Sequence, residues 1–439
     1  MSLRNYFLLL CGWSATALSG QTPQLDALLT EGLRDVPRLQ RRNAEIRAAQ
    51  AQLAEAEAAG GLRVDLGGTY TLAAGGRSID LPVGDLLNPV YGTLNQLTQT
   101  NGFPQIDNVE EQFLPNNFYA LRLRATYPIY RPEIKLNQQI RAEQVSLAKT
   151  QQRITRRDLE RDLRVAYWQL QSATAAVTIY EEALDLVAEA LRTTRSQIAN
   201  GVALPAARLR LEAERAELLA QRAQAVANRQ QAAAQLNYLL ARPLEVAVDL
   251  DSVGSALPEL LEPTSTGRGE LDQLRSALTI NALAESVEQQ FYRPKIGVQL
   301  DAGSQAFNFE LAPYALLGLS VDLPIWDNRM HRRRLDRLAA ERDAQSARLD
   351  DTARQLALEA LTIRQQLAAD LERVARYGPA VTAARRAYTD TQRLYREGLT
   401  GYLNIVDART QLTRLRLQRT LAIYTAWIRH AELLRATEN

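Results

Sequence analysis

Tyr127-Pro128-Ile129-Tyr130 and Leu323-Pro324-Ile325-Trp326 are two motifs of the same form that lie 196 residues apart in the chain. Each motif closes an alternating apolar run and opens a long stretch of helix-forming residues. A glycine follows each at nearly the same distance, Gly201 in the first half and Gly398 in the second, 197 residues apart. Such self-similarity indicates a duplicated structural unit. The unit consists of two strands, a very long helix, a glycine turn and a second helix.

The two halves are not the same length before these motifs. Leu62, Val64 and Leu66 match Ile296, Val298 and Leu300 at a spacing of 234 residues, which exceeds the later spacing by 38. The difference predicts an insertion between the two strands of the first half. We expect this insertion to be a long loop over residues 76–117.

The repeat predicts the organisation of the whole chain. Residues 21–250 form the first repeat, with a helix, strands near 62–74 and 118–130, and a helical hairpin whose tip lies near 200–205. Residues 251–439 form the second repeat, with a helix, strands near 295–304 and 314–326, and a hairpin tip near 397–402.

The first 20 residues have the plan of a secretory signal peptide. Arg4 precedes an apolar run from Tyr6 to Trp13, and small residues follow it. A lipoprotein signal that is cleaved before Cys11, the sole cysteine, is the alternative interpretation. No later run approaches the roughly 18 apolar residues that a transmembrane helix needs. We therefore expect an exported protein without a helical membrane anchor.

Composition excludes two classes of function. The formal net charge is only +2, and the 52 basic residues are interleaved with 50 acidic ones, which argues against nucleic-acid binding. The two histidines, His331 and His430, lie 99 residues apart, and no catalytic or metal-binding motif is present. The sequence therefore predicts a protein that is not an enzyme and holds no metal or cofactor.

The strands alternate between apolar and polar residues, which gives each one an apolar and a polar face. Strands of about ten residues with this pattern are typical of membrane β-barrels, whereas an ordinary half-buried sheet is the simpler alternative. Four strands would leave two open edges, which lipid does not tolerate, so a barrel requires several chains. In a barrel, the residues facing the lumen would be Arg63, Asp65, Arg122, Arg124, Asp301 and Asp322. Their mixed signs predict little charge selectivity.

Aromatic residues occur near the ends of the predicted strands. Such residues often form a girdle at the lipid interface, although aromatic side chains are also good strand formers in general. The candidates for the girdle are Tyr70, Tyr119, Tyr127, Tyr130, Tyr314 and Trp326.

The helices are too long for a compact domain. Residues 132–199 contain no internal proline or glycine, and a helix of that length spans roughly 100 Å. In the second half, only Tyr377-Gly378-Pro379 is expected to interrupt the helix.

Over nearly all of its mature length the chain resembles the TolC-like outer-membrane efflux proteins. The resemblance rests on the doubled hairpin, on the two motifs at the strand-to-helix junctions and on the segment Gly398-Leu-Thr-Gly-Tyr-Leu-Asn-Ile-Val-Asp-Ala-Arg409. It implies a mixed, mostly α fold that assembles as a homotrimer. Each protomer would give four strands to a 12-stranded β-barrel in the outer membrane, above a long α-helical barrel in the periplasm.

The resemblance also implies a function and partners. Such proteins are passive exit ducts that work with a periplasmic adaptor and an inner-membrane transporter. Adaptor contacts map to Asn200, Gly201, Val202, Glu397, Gly398 and Leu399. Asn200 and Glu397 depart from the valine that many relatives carry before the glycine. A periplasmic adaptor or structural coiled-coil protein is the alternative, although one hairpin and glycine-rich β domains would then be expected.

Residues of the channel constriction follow from the same resemblance. Asn404 and Asp407 occupy the positions of the acidic rings in relatives, so that a trimer would carry three Asp407 carboxylates, which favour cations. A carboxylate stabilised near a helix start is the simpler explanation of Asp407. Tyr395 occupies the place of a latch tyrosine, but its acidic partner is replaced by Ala207. Arg208 and Arg210 are the candidate partners of Asp407.

Overall fold

The computed structural model describes residues 23–251, 256–261 and 268–437. The expected signal peptide and Cys11 lie outside these ranges. Eight helices and six strands occur in the described ranges. In chain order they are α1 (Pro23–Gly32), α2 (Pro37–Ala58), β1 (Arg63–Thr71), β2 (Ser78–Leu81), α3 (Val83–Thr98), β3 (Val109–Gln112), β4 (Phe118–Tyr130), α4 (Pro132–Ala199), α5 (Pro205–Leu239), α6 (Gly269–Gln289), β5 (Lys295–Phe307), β6 (Pro313–Asp322), α7 (Met330–Arg396) and α8 (Tyr402–Thr437).

The chain divides into two compact units. The helical unit comprises the described parts of residues 1–49, 143–280 and 341–439, and the sheet unit comprises residues 50–142 and 281–340. Each unit draws on both halves of the sequence, because α4 and α7 each begin in the sheet unit and continue into the helical unit. None of the described helices combines the length and apolarity needed to cross a membrane.

The largest core cluster of the helical unit is built around an aromatic stack. The rings of Trp168 in α4 and Trp427 in α8 lie 4.7 Å apart at an interplanar angle of 20°. Both side chains are buried, and the indole Nε1 of Trp427 donates a hydrogen bond to the Ala256 carbonyl at 3.2 Å. A buried tryptophan needs a hydrogen-bond partner for its N–H, and the Ala256 carbonyl is that partner. The stack joins the first half of the chain to the second.

The helix α7 is continuous where an interruption was expected. It runs through Gly378 and Pro379 to Arg396. Proline in a helix removes one backbone hydrogen bond and usually kinks or ends the helix. Here Val374 and Val381, on either side, are buried in core clusters. Packing on both sides of the proline therefore sustains the helix, and the sequence expectation was wrong.

The sheet unit contains one antiparallel sheet in the order β1-β4-β5-β6. The central pair, β4 and β5, joins the two halves of the sequence. Strand β1 ends at Thr71 rather than near residue 74, and β6 ends at Asp322 rather than near residue 326. Strand β5 extends to Phe307, three residues beyond its expected end. Within this sheet, each outer strand has one unpaired edge.

The two strand-to-helix motifs differ in structure. Strand β4 continues through Pro128, and a bulge between Pro128 and Tyr130 brings Tyr130 opposite Ile296. The bulge accommodates a proline, which has no N–H to donate within a sheet. Strand β6 instead ends before Leu323 and Pro324. The residue before a proline is conformationally restricted, and here the outer strand stops.

The insertion between β1 and β4 is folded rather than a simple loop. Strands β2 and β3 form a hairpin-like pair, and α3 lies between them in sequence. The side-chain amide of Asn88 donates to the Ile106 carbonyl and accepts from the Ile106 N–H, both at 2.9 Å. Asn95 makes the same reciprocal pair with Phe103. These bonds attach α3 to the following segment, which corrects the expectation of a long loop.

Candidate functional site: the hairpin tips and the sheet faces

The two hairpin tips have the same backbone geometry. Gly201 and Gly398 have φ values of +74° and +75°, in the left-handed region that glycine adopts most easily. After each glycine, an N–H reaches back to close the helix end. Val202 donates to the Gln197 carbonyl at 2.8 Å, and Leu399 donates to the Leu394 carbonyl at 2.9 Å. This pattern is that of a Schellman helix end, so the two tips are equivalent.

The tips expose apolar side chains. Val202 is 63% exposed and Leu399 is 71% exposed, and the expected tip residues Asn200 and Glu397 are exposed beside them. The structure adds two residues that sequence reasoning missed, since Leu204 and Leu403 are also exposed. Leu204 follows Gly201 by three positions, and Leu403 follows Gly398 by five. Both lie at the start of a returning helix. An exposed apolar group with a polar rim is typical of a protein-binding surface.

We expect Gly398→Ala to destabilise the second tip by about 1–2 kcal/mol, because an alanine at this φ is strained. An added Cβ would lie 3.5 Å from Val202 Cγ1, an ordinary contact, so conformational strain is the main cost. Gly378→Ala is the matched control. Gly378 lies inside α7 with no atom near its Cβ position, and its replacement should stabilise the helix by about 1 kcal/mol. Hydrogen exchange at residues 394–403 should be faster in Gly398→Ala and unchanged in Gly378→Ala, and equal protection of this segment in the two variants would contradict the prediction.

The two expected constriction residues lie on the exposed side of α8. Asn404 and Asp407 are both exposed, and the Asn404 amide donates to Thr400 Oγ1 at 2.7 Å. Neither expected arginine pairs with Asp407 in the described part of the chain. Arg208 lies 3.8 Å from Glu212 on its own helix instead. The Asp407 carboxylate is therefore unpaired among the residues that the structure describes.

Tyr395 is inside the protomer rather than on its surface. Its side chain is 3% exposed, and its hydroxyl forms a hydrogen bond with Thr194 Oγ1 at 2.6 Å. The Gln197 amide donates to the Tyr395 carbonyl. Ala207, at the position of the missing acidic partner, is buried. Tyr395 therefore connects α7 to α4 through Thr194, a partner that the sequence did not predict.

A buried ion pair near the tips was also missed. The guanidinium of Arg409 in α8 contacts the carboxylate of Glu214 in α5, and Arg409 is only 3% exposed. Glu214 also accepts a hydrogen bond from Thr410 Oγ1 at 3.0 Å. Burial lowers the pKa of Arg409 to about 10, so the guanidinium remains charged at neutral pH. This pair joins the returning helices of the two hairpins.

Helical spacing is the signal that could have identified this pair. Arg409 lies three residues from both Val406 and Leu412, which are buried, so it occupies the inner side of α8. Glu214 lies in the same way between the buried Leu211 and Leu218 of α5. A charged residue within an apolar stripe needs a charged partner, and the two stripes supply opposite signs.

Further contacts between the hairpins are more exposed. Arg396 in α7 lies 3.2 Å from Glu189 in α4, and Arg416 in α8 pairs with Glu182 in α4. The hydrogen bond from Arg192 lowers the pKa of Glu189, and Arg396 contributes to the same shift. Exposed pairs of this kind contribute little to stability. The buried pair Arg409–Glu214 is therefore the main electrostatic link near the tips.

The sheet presents two distinct faces. Directly paired residues share a face, so the register places Leu66, Leu123 and Ala302 together. The whole of this face is apolar or small, and its large side chains are exposed in the protomer. They include Val64, Leu66, Tyr70, Leu121, Leu123, Tyr127, Leu300, Leu317, Leu319 and Val321. An exposed apolar face of this extent indicates a lipid or protein partner.

The opposite face carries all six residues that were expected to line a lumen. Asp65, Arg124 and Asp301 are neighbours across three strands. The Nε and Nη2 atoms of Arg124 donate to the two oxygens of Asp301 at 2.8 and 2.9 Å. Arg63 pairs with Asp65 at 3.0 Å. Arg122 is exposed on this face, as is Asp322 at the end of β6.

Four of the six candidate girdle aromatics lie on the apolar face. Tyr70 and Tyr119 are directly paired, and the ring of Phe309 stacks on both, with centroid distances of 5.2 and 5.6 Å. Tyr127 shares that face through its pairing with Val298, as does Tyr130 through its pairing with Ile296.

The other two candidates lie elsewhere. Tyr314 pairs with Gly303 and belongs to the polar face, so its assignment to a lipid girdle was wrong. The reason is that side chains in a strand alternate between the two faces. Tyr314 lies three positions from Leu317 and five from Leu319, so it lies on the face opposite to theirs. Trp326 lies beyond the end of β6 and is 79% exposed.

No protein-family model matches this sequence, and no curated protein sequence is significantly similar to it. Solved structures are similar in fold. The outer-membrane channel OprN superposes with a TM-score of 0.76 at 19% identity, over 94% of this chain and 90% of that chain. The outer membrane protein VceC from Vibrio cholerae superposes with a TM-score of 0.73 at 17% identity, over 94% of this chain and 95% of VceC.

A third structure, the open state of the Neisseria gonorrhoeae MtrE outer membrane channel, gives a TM-score of 0.74 at 15% identity. It covers 94% of this chain and 88% of that chain. The chain therefore has the mixed, mostly α fold of outer-membrane channels. The resemblance noted from the sequence is confirmed at the level of the fold.

Proposed function

We propose that this protein, whose fold is that of outer-membrane channels, is the outer-membrane exit duct of a tripartite efflux or secretion system. The observation that supports it best is the four-stranded sheet with one exposed apolar face, one charged face and two unpaired edges. Lipid requires apolar side chains outside and closed backbone hydrogen bonding. A single protomer already supplies the apolar face. Its two free strand edges can complete their backbone hydrogen bonds only in an oligomer.

A homotrimer provides that closure. The free edges of β1 and β6 belong to strands of nine and ten residues, close to the length that crosses an outer membrane. Pairing of β1 in one protomer with β6 in the next would close a 12-stranded barrel. The apolar face would then contact outer-membrane lipid, and the charged face would line a water-filled lumen.

The helices carry the duct from this barrel into the periplasm. Helices α4 and α7 have 68 and 67 residues, and each rises roughly 100 Å. The hairpin tips would dock a periplasmic adaptor, which connects the duct to an inner-membrane transporter. The exposed apolar residues Val202, Leu204, Leu399 and Leu403 support this docking role.

Conduction in this proposal is passive, with a gate near the tips and no catalytic step. Asp407 is exposed and has no partner in the described ranges of the chain, so that three copies would form a carboxylate ring that favours cations. Asn404 would add polar, uncharged groups near the same level. Tyr395 would act as a positioning residue that keeps α7 and α4 together. The alternative, a periplasmic adaptor, is disfavoured by the doubled hairpin and by the fold.

Fractionation and electrophoresis test the proposal together. The full-length protein should appear in the outer-membrane fraction, require detergent for purification, and migrate as a trimer that heating converts to a monomer. The purified trimer should conduct ions in planar bilayers. Recovery of a monomer from the periplasmic fraction without detergent would overturn the proposal. In a separate experiment, crosslinks from variants of the hairpin tips would identify the adaptor.

A further inference from the structure

The polar face of the sheet is organised in rows of directly paired residues. In the middle of the sheet a row contains one residue from each of the four strands. The inference drawn from these rows rests on the proposed role of this face as a channel lumen. One row consists of Asp65, Arg124, Asp301 and Leu316, and the next consists of Gly67, Arg122, Gly303 and Tyr314. Neighbouring rows on one face lie about 7 Å apart, because each residue of a strand rises about 3.3 Å.

Charges in the rows on one side of Arg122 neutralise one another. The carboxylate of Asp301 accepts two hydrogen bonds from Arg124 and a further one from Gln299 at 2.8 Å. Arg63 lies against Asp65. The two rows containing these four charged residues therefore have no net charge. The acidic groups near Arg122 are already occupied by other partners.

Arg122 itself has no such partner. Its guanidinium makes no hydrogen bond or ion pair with any residue that the structure describes, and the side chain is exposed. Its charge also acts on Asp301, but the oxygens of that carboxylate already accept hydrogen bonds from Arg124 and Gln299. Its neighbours in the row on both sides are glycines, Gly67 and Gly303. Only glycine fits at position 303, since an added Cβ would lie 2.2 Å from the Leu121 carbonyl oxygen and 3.1 Å from the Tyr314 ring. An added Cβ at Gly67 would meet no atom within 4 Å, whereas the Tyr314 ring lies against Gly303, so the row is open on the Gly67 side of Arg122.

The rows on the other side of Arg122 are uncharged. Moving toward the β5–β6 turn, the next row contains Thr69, Ala120 and Gln305, and the row after it contains Thr71, Phe118 and Phe307. Arg122 is thus the last charged residue on this face before the turn end of the sheet. It gives the turn-side half of the polar face an excess of one positive charge per protomer.

We propose that Arg122 is the anion-selecting residue of the barrel lumen, and that the duct favours exported solutes that carry a carboxylate, phosphate or sulfate group. In the trimer, three Arg122 side chains would form a positive ring in the outer half of the barrel. A guanidinium matches carboxylate and phosphate oxygens in geometry and cannot be neutralised at physiological pH. The ring acts locally, because the row spacing is comparable to the screening length of about 8 Å in physiological salt.

The ring has a sign opposite to that of the proposed Asp407 gate. The two residues belong to different compact units of the chain, so each charge can be removed by substitution while the other is kept. The Asp407→Asn variant therefore serves as the background, in which the gate carries no charge. The ion preference measured in this background reports on the barrel.

The experiment compares three variants in the Asp407→Asn background by planar-bilayer recording under a KCl gradient. We expect Arg122→Gln to shift the reversal potential toward cation preference, and Arg122→Lys to retain anion preference. Inositol hexakisphosphate, added from the side of the β5–β6 turns, should block the Arg122→Gln channel about tenfold more weakly than the parent. Arg63→Gln removes the same charge two rows away from Arg122 and should weaken the block much less than Arg122→Gln does.

Each outcome supports or overturns a specific claim. If the parent trimer conducts but Arg122→Gln changes neither the reversal potential nor the block, the assignment of Arg122 is wrong while the duct stands. An equal loss of block in Arg63→Gln would also refute a local role. If the parent forms no trimer and no conducting channel, the proposed function itself fails. Heat-modifiable migration of every variant shows whether the barrel has assembled.

Discussion

Leu123→Arg is expected to abolish insertion of the protein into the outer membrane. Leu123 lies at the centre of β4 on the apolar face, between Leu66 and Ala302, and is 46% exposed in the protomer. An arginine on the lipid side near the bilayer midplane costs about 2–4 kcal/mol per copy, so a trimer would lose about 6–12 kcal/mol. The heat-modifiable trimer should disappear from the outer-membrane fraction, which immunoblotting of unheated samples measures.

The matched control is Ala120→Arg, in the same strand but on the opposite face. Ala120 belongs to an uncharged row of the polar face, with Thr69 and Gln305 as neighbours. A lumen accepts charged residues, so this variant should assemble normally and change only ion selectivity. If both variants assemble equally well, the assignment of the two faces is wrong. If both variants fail to assemble, the size of the new side chain is the cause, and the polarity of the face is not.

Glu214→Ala is expected to destabilise the hairpin tips by about 3–5 kcal/mol, because it leaves the buried guanidinium of Arg409 without its partner. The loss should be local, since this pair and the Thr410 bond join α5 to α8 near the tips, beside the apolar contacts of Val406 with Leu211 and Leu218. We expect faster hydrogen exchange over residues 203–214 and 402–412. We also expect larger or more frequent openings in single-channel recordings, because the proposed gate residue Asp407 lies two residues from Arg409.

Two further variants separate this effect from a general loss of side-chain charge. Glu212→Ala removes an exposed carboxylate of the same helix, 3.8 Å from Arg208, and should cost only about 0.3–0.5 kcal/mol. Replacing Arg409 with Met in the Glu214→Ala background removes the unpaired charge and should restore most of the exchange protection. No rescue by Met, or an equal effect of Glu212→Ala, would show that the buried pair does not hold the tips.

Much of the architecture could be predicted from short-range patterns. The alternation in β4 assigns Leu121 and Leu123 to one face and Arg122 and Arg124 to the other, because side chains in a strand alternate whatever the strand pairs with. The glycine turns are equally local. Gly201 and Gly398 end their helices with positive φ, a conformation that few other residues adopt readily.

Other features depend on partners that are distant in the chain. The helix α3 contains Gly84, Pro89 and Gly92, which indicate a loop, yet Asn88 and Asn95 attach it to the segment that follows. Pro379 predicts a helix end, but packing of its neighbours on the core keeps α7 continuous. In both places tertiary contacts outweigh local preference.

The charged residues show the same division. Arg122 and Arg124 are equivalent in the sequence pattern, since both point to the polar face of one strand. In the structure, Arg124 is neutralised by Asp301, whereas Arg122 lies between two glycines with no partner among the described residues. The distinction depends on the register between β4 and β5, whose paired residues lie more than 160 positions apart. No local pattern encodes that register.

The sequence by itself determined the duplicated order of strands and helices, the two faces of each strand and the glycine-ended tips. These features follow from backbone geometry with periods of two and 3.6 residues, which a short stretch of chain reveals. Only the tertiary structure decided which charges are paired, that Tyr395 and Arg409 are buried, and that the insertion is folded. Those outcomes depend on the free energy of contacts between distant residues, and burying a charge is tolerable only where a partner of opposite sign is brought to it.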